Sequence, residues 1–97
     1  MEVVIRQYSG PKAKELFDVL EKNKKEVEKV IRGVEGVVSY TLARTDNGGL
    51  AVTVGKDRAA IENSNQTAKA WIAKNASDIG ADAPAMTTAS IILHLSQ

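Results

Sequence analysis

The segment 36–56, GVVSYTLARTDNGGLAVTVGK, constrains the fold of this chain more than any other stretch. Large and small side chains alternate in it with a period of two, on either side of Asp46-Asn47-Gly48-Gly49. Such alternation is typical of β-strands with one buried face, and Asn and Gly are residues that tight turns favour. The segment therefore predicts a β-hairpin.

The pairing of the two arms is predicted by asking which register sorts the side chains by size. A three-residue loop at Asp46–Gly48, with a bulge beside it, places Leu42 opposite Val52. A two-residue Asn47-Gly48 turn would mix large apolar with small polar residues on both faces. We therefore expect the three-residue loop, with one face of the hairpin large and apolar and the other small and weakly polar.

The elements before the hairpin are a strand and a helix. Residues 2–8 alternate like a strand, and after Pro11 apolar residues recur at three- and four-residue steps as far as Gly33. Charged side chains on every side interrupt this apolar stripe near Asn23. The interruption predicts either a kink at that point or a stretch of helix that projects past the sheet.

A second helix and a last strand are predicted after the hairpin. Asp57 is a natural N-cap for a helix over 57–75, whose inward stripe includes Asn65 and, as a core anchor, Trp71. Residues 76–86 are rich in Ala, Asp, Gly and Pro and predict a long loop that acts as a lid or an interface segment. Alternation then predicts a strand over 87–95.

The order β-α-β-β-α-β over 97 residues indicates one α+β domain with a four-stranded antiparallel sheet and both helices on one face, the ferredoxin-like plait. The helices are expected to cover the larger apolar set, which is Val3, Ile5, Val38, Tyr40, Leu42, Leu50, Val52, Val54, Ile91, Leu93 and Leu95. The helix-free face would then carry Val4, Arg6, Tyr8, Val37, Ser39, Thr41, Ala43, Ala51, Thr53, Ile92 and His94.

Composition narrows the function classes. The net charge of +1 and the aromatic content of 4% argue against a nucleic-acid partner, because basic patches and stacking aromatics are missing. No apolar run approaches the roughly 20 residues of a membrane span. The chain has no cysteine, and its first residues enter a strand pattern directly, so we expect no signal peptide and a cytoplasmic protein.

At this point the chain resembles the dimeric α+β barrels that include the antibiotic-biosynthesis-monooxygenase-like proteins. The resemblance lies in the segment 32–40, RGVEGVVSY, and in the element order over nearly the whole chain. It implies a homodimer that pairs through the helix-free sheet faces around a cavity for a small hydrophobic or aromatic molecule. Members of that family include cofactor-less oxygenases, haem-degrading enzymes, isomerases and ligand-sensing domains. The Asn, Trp and His pattern of the haem-degrading members cannot be placed on this sequence.

The candidate ligand-binding residues on the expected helix-free face are Arg6, Tyr8, Ser39, Thr41, Thr53 and His94. His94 would titrate near neutral pH and is the candidate acid or base, although a single His near a C-terminus is more often structural or merely exposed. Arg6 could hold a carboxylate or an enolate oxygen, and Tyr8 could donate a hydrogen bond. One His without matched carboxylates gives no metal site, and no cofactor is expected.

The sequence therefore leaves two main alternatives. In the first, the protein is a dimeric barrel that binds or transforms a small molecule in the manner of a cofactor-less monooxygenase. In the second, the open sheet face is a protein-interaction or ligand-sensing module without chemistry. A cavity too small for a ligand would favour the second.

Overall fold

The structure is a computed structural model that describes residues 1–96. Its elements, in chain order, are β1 (Glu2–Ser9), α1 (Pro11–Lys22), α2 (Lys24–Arg32), β2 (Val37–Thr45), β3 (Gly48–Gly55), α3 (Arg58–Asn75), a 3₁₀ turn (Ser77–Ile79) and β4 (Ala85–Ser90). The four strands form one antiparallel sheet in the order β2-β3-β1-β4. This is the predicted ferredoxin-like α+β fold, with the helices packed on one face of the sheet.

The helices begin and end where the sequence predicts, with one break. The first predicted helix is kinked into α1 and α2 at Asn23, whose side-chain amide donates to the Val19 carbonyl at 2.8 Å. Asp57 caps α3 by accepting from the Ala60 amide at 2.9 Å. Trp71 is buried in the core, as predicted, and its indole nitrogen donates to Glu26 at 3.0 Å.

The hairpin register differs from the predicted one by one residue. Leu42 lies opposite Ala51, and Tyr40 lies opposite Thr53, so the loop between the strands is the two-residue Asp46–Asn47. The predicted three-residue loop is wrong because each large side chain of β2 sits beside a small one of β3, instead of beside another large one. The bulge lies at the far end of the hairpin, between Val37 and Ser39.

The faces of β1 and β3 are the reverse of the predicted ones. Tyr8 packs edge-on against Phe17 of α1, with ring centroids 5.7 Å apart, and Arg6 is 5% exposed below α3. Ile5, which was expected below the helices, is 39% exposed on the opposite face. The residues that lie on the helix side against prediction are Val4, Arg6, Tyr8, Ala51 and Thr53. Those that lie on the helix-free face against prediction are Val3, Ile5, Leu50, Val52 and Val54.

The faces of β2 follow the prediction except at the bulge. Tyr40 and Leu42 pack toward the helices, and Ser39 and Thr41 are exposed on the other face. The bulge reverses the two residues before them: Val37 packs against the core, whereas Val38 is 51% exposed.

Small residues of β3 explain why its helix side is not its larger side. Gly49, Ala51, Thr53 and Gly55 follow one another on that face, and the ring of Phe17 lies directly over Gly49. A strand with little side-chain volume lets the helices approach the sheet closely, so that helix residues fill the core. Complementary volumes, and not the size of the strand residues alone, therefore decide which face is covered.

The last strand ends earlier than predicted. β4 covers Ala85–Ser90 instead of 87–95, because Ser90 already pairs with Glu2 at the beginning of β1. Only the Ile91 amide still bonds to the Met1 carbonyl, at 2.9 Å, and no residue of β1 remains for the segment 92–95 to pair with. Ile92, Leu93 and Leu95, expected in the last strand, thus lie outside the sheet with exposed side chains.

Within residues 1–96, no helix is both long enough and apolar enough to cross a membrane.

The close approach of α1 to β3 can be tested by Gly49→Ala. A Cβ at this position would overlap the ring of Phe17, so we expect a loss of about 1–3 kcal/mol in the free energy of unfolding. Urea unfolding measures the change. The same substitution in a Phe17→Leu background should cost much less, since the smaller side chain leaves room.

Gly33→Ala is the matched control, because a Cβ there makes only ordinary contacts and the backbone is already right-handed helical. Its effect should be neutral or slightly stabilising. An equal loss at Gly49 with and without Phe17 would contradict the close contact between Phe17 and Gly49.

Candidate functional site

A cleft of about 490 Å³ opens on the helix side of the sheet, above β1 and β4. Ligand cavities in proteins usually span about 300–1,000 Å³ and are mainly apolar, so this cleft has the size and character of a small-molecule site. Its lining residues come from β1 (Arg6, Tyr8), α1 (Leu16), α3 (Asn65, Gln66, Lys69, Ile72), the segment before β4 (Ala81, Asp82, Ala83, Pro84) and β4 (Met86).

The pairing of two strands and the period of one helix assemble this cleft. Arg6 and Met86 are direct partners across β1 and β4, which places both on the floor. Asn65, Lys69 and Ile72 follow at helical spacing on α3 and form one wall. The site therefore exists because the face of β1 that carries Arg6 is turned toward the helices.

The opposite wall comes from the segment that the sequence marked as a long loop. Residues 76–86 contain the 3₁₀ turn Ser77–Ile79 and the start of β4, so only the short segment 80–84 is irregular. Gly80 is left-handed at φ 68°, a conformation that favours glycine, and Lys12 of α1 donates to the Ile79 carbonyl at 3.1 Å. The chain is thereby turned across the mouth of the cleft.

Arg6 is the most unusual residue of the site. Its side chain is buried, and its hydrogen bonds go to neutral groups at long distances: Nη1 to Asn65 Oδ1 at 3.3 Å and Nη2 to the Tyr40 hydroxyl at 3.5 Å. Its Nε finds no hydrogen-bond partner among residues 1–96. By contrast, Arg32, Arg44 and Arg58 are all at the surface and each bonds to a carboxylate at 2.6–2.9 Å.

The phenols around Arg6 are neutral at ordinary pH. Burial raises the pKa of Tyr40 above its usual value and outweighs the opposing effect of the nearby Arg6 charge. Burial likewise raises the pKa of Tyr8. Neither hydroxyl therefore supplies a negative charge to Arg6 in the folded protein at neutral pH.

A small inner void in the core shares part of its lining with the cleft. It measures about 10 Å³, and Arg6, Tyr8 and Ile72 line both spaces. A volume of that size holds at most about one water molecule. Arg6 therefore lies at the deep end of the ligand-sized cleft, with Trp71 and the packed core behind it.

The structure brings together only two of the six predicted site residues, Arg6 and Tyr8. Ser39 and Thr41 are exposed on the other face of the sheet, and Thr53 is buried on the helix side with a hydroxyl that has no partner in the described chain. His94 is exposed and follows four residues after Ser90, beyond the end of β1, so it does not meet Arg6. The expected placement of Arg6 and Tyr8 on the helix-free face is wrong: both residues face a cleft on the helix side.

Several residues of the cleft were missed by sequence reasoning, among them Asn65 and Met86. Asn65 was placed on the inward stripe of its helix, and a polar amide on an otherwise apolar stripe is the signal that could have marked it. Met86 carried no signal, because it was assigned to the loop. Its pairing with Arg6 depends on the β1–β4 register.

In the part of the chain that the structure describes, no three His, Cys, Asp or Glu residues are grouped so that they could hold a metal ion.

The fold and the cleft together define a small α+β protein with a ligand-sized cleft between a ferredoxin-like sheet and its helices. No protein-family model and no curated protein sequence matches the chain. Solved structures do match it, at low sequence identity and over nearly its full length.

Three of these structures describe the range. The protein NE2512 of unknown function from Nitrosomonas europaea is 13% identical, with a TM-score of 0.72 and coverage of 99% of this chain and 92% of that one. A dimeric ferredoxin-like protein from an uncultured marine organism is 8% identical, with a TM-score of 0.66 and coverage of 99% and 96%. A monooxygenase from the gene ActVA-Orf6 of Streptomyces coelicolor, in complex with the ligand nanaomycin D, is 18% identical, with a TM-score of 0.61 and coverage of 99% and 89%. The resemblance to monooxygenase-like and dimeric ferredoxin-like proteins is thus confirmed for the fold.

The burial of the two phenols predicts a loss of stability in alkali. A raised pKa in the folded state means that the unfolded chain releases its tyrosine protons first, so the free energy of unfolding falls as pH rises above about 10. Tyr40→Phe should reduce this fall. Urea unfolding of both proteins at several pH values between 7 and 11 measures it, and identical pH slopes would contradict the burial of Tyr40.

Proposed function

We propose that the protein binds a small, largely apolar organic molecule in the cleft on the helix side of its sheet. The observation that carries this proposal is the 490 Å³ volume with mainly apolar walls and the buried Arg6 at its deep end. Apolar walls with a few placed polar groups are what small-molecule sites share.

A role like that of a cofactor-less monooxygenase is the enzymatic form of this proposal. It is supported by the fold shared with the Streptomyces coelicolor monooxygenase, whose structure holds nanaomycin D. Oxygen uptake in the presence of reduced polycyclic phenols, with no added cofactor, tests it. Binding of such compounds without oxygen uptake would favour the second candidate, a ligand-sensing module without chemistry.

We also propose a homodimer that pairs through the helix-free sheet faces. Ile5 is 39% exposed there at the centre of the sheet, beside Val52 and Thr87 on the two neighbouring strands. Contiguous exposed apolar surface on a sheet face is a feature of protein–protein interfaces. The marine ferredoxin-like protein is described as dimeric, and its similarity covers 99% of this chain.

The binding site can be tested by filling it. Ala83→Trp places a large side chain in the wall of the cleft, so we expect it to weaken the binding of a neutral bicyclic probe, 1-naphthol, at least tenfold. Ala73→Trp adds the same side chain to an exposed position of α3 outside the cleft and is the matched control. Ligand-observed NMR measures both affinities.

If both variants bind 1-naphthol as the wild type does, the cleft is not the site. If the wild type binds neither 1-naphthol nor other two-ring and three-ring aromatics, the proposed function is wrong.

The dimer can be tested by Ile5→Lys. A charge at the centre of an apolar interface is costly to bury, so the variant should sediment as the 10.4 kDa monomer where the wild type has twice that mass. Glu62→Lys, on the exposed side of α3, should leave the mass unchanged. A wild-type monomer, or a dimer unaffected by Ile5→Lys, would rule out this interface.

A further inference from the structure

We propose that the ligand of the cleft is an organic anion, an aromatic carboxylate, whose carboxylate pairs with Arg6. This inference rests on the proposed binding function and adds the chemical class of the ligand. It is carried by a buried arginine that has no anionic partner in the described chain and lies at the end of a ligand-sized cleft.

Arg6 carries its positive charge inside the protein. An arginine side chain stays protonated in proteins, and a buried charge is costly unless an opposite charge or strong hydrogen bonds compensate it. Arg6 is 5% exposed, yet across residues 1–96 no carboxylate lies within ion-pair distance of it. Among residues 1–96 the protein thus keeps a buried positive charge with no opposite charge beside it.

The groups beside Arg6 do not compensate its charge. The hydroxyl of Tyr40 and the amide of Asn65 accept from Arg6 at 3.5 and 3.3 Å, which are long distances for hydrogen bonds from a charged donor. Both groups are neutral, and burial keeps the Tyr40 and Tyr8 phenols protonated. Asp82 lines the cleft but is exposed and makes no ion pair with Arg6.

The geometry of the guanidinium indicates which kind of anion pairs with Arg6. A guanidinium presents its donors in a planar fork that matches a carboxylate through two parallel hydrogen bonds. The two terminal nitrogens of Arg6 are only weakly bonded, so they retain donors for such a pair, whereas Nε is fully buried. The rest of the cleft is walled by Leu16, Ile72 and other apolar residues, which suits a hydrocarbon ring.

The experiment compares two probes of the same shape and different charge, 1-naphthoate and 1-naphthamide. Calorimetric titration of the wild type should show the acid binding at least tenfold more tightly than the amide. Arg6→Met should abolish this preference, so that the acid and the amide bind with similar affinity. Arg6→Lys keeps the charge but not the fork, so it should retain only part of the preference.

Two further variants separate the possible sources of charge. Lys69→Met removes the exposed cation at the wall of the cleft and should weaken the preference for the acid less than Arg6→Met does. Arg32→Met removes an exposed arginine on α2 and serves as the control for net charge. Circular dichroism of each variant establishes that it is folded before the titration.

Equal affinity of the wild type for acid and amide would overturn the inference while leaving the proposed binding function in place. A preference that persists in Arg6→Met, or that falls more in Lys69→Met than in Arg6→Met, would also overturn it. Failure of the wild type to bind any acid or amide pair of two or three rings would instead overturn the proposed function itself.

Discussion

The structure depends on the match between a strand of small residues and the large side chains of the helices above it. The face of β3 toward the helices carries little side-chain volume, because its residues are Gly49, Ala51, Thr53 and Gly55. Phe17 and Ile61 can therefore lie close to the backbone of the strand. Because β1 pairs with β3 in a fixed register, this choice of face turns Arg6 toward the helices as well. The close packing of the sheet and the burial of the arginine therefore have one cause.

The fold could be predicted from the sequence, because it depends on the order and type of elements. Period-two alternation identified the strands, and the Asp57 cap identified the start of α3. The interrupted stripe at Asn23 left two alternatives, a kink or a projecting stretch, of which the structure shows the kink. Face and register could not be predicted in the same way. Alternation shows that a strand has two different sides, but it leaves open which side meets the helices, and the assumption that the larger side does so failed for β1 and β3.

The sequence therefore identified only part of the candidate site. Arg6 and Tyr8 were recognised by their chemistry, but they were placed on the wrong face, and His94 was grouped with them on a strand that ends at Ser90. β4 ends where its partner strand β1 begins, and this limit cannot be predicted from the sequence of β4 alone. The contributions of Asn65 and Met86 arise from tertiary pairing with Arg6, so they became visible only in three dimensions.

We propose separate roles for the two faces of the sheet. The helix-free face pairs with a second copy, and the helix side binds a ligand whose carboxylate pairs with Arg6. The most direct test is a crystal structure of the protein with 1-naphthoate. We expect the carboxylate of 1-naphthoate within hydrogen-bond distance of the Arg6 guanidinium and its rings between α3 and the segment 81–84. Rings bound on the helix-free face, or a carboxylate of the chain itself paired with Arg6, would contradict it.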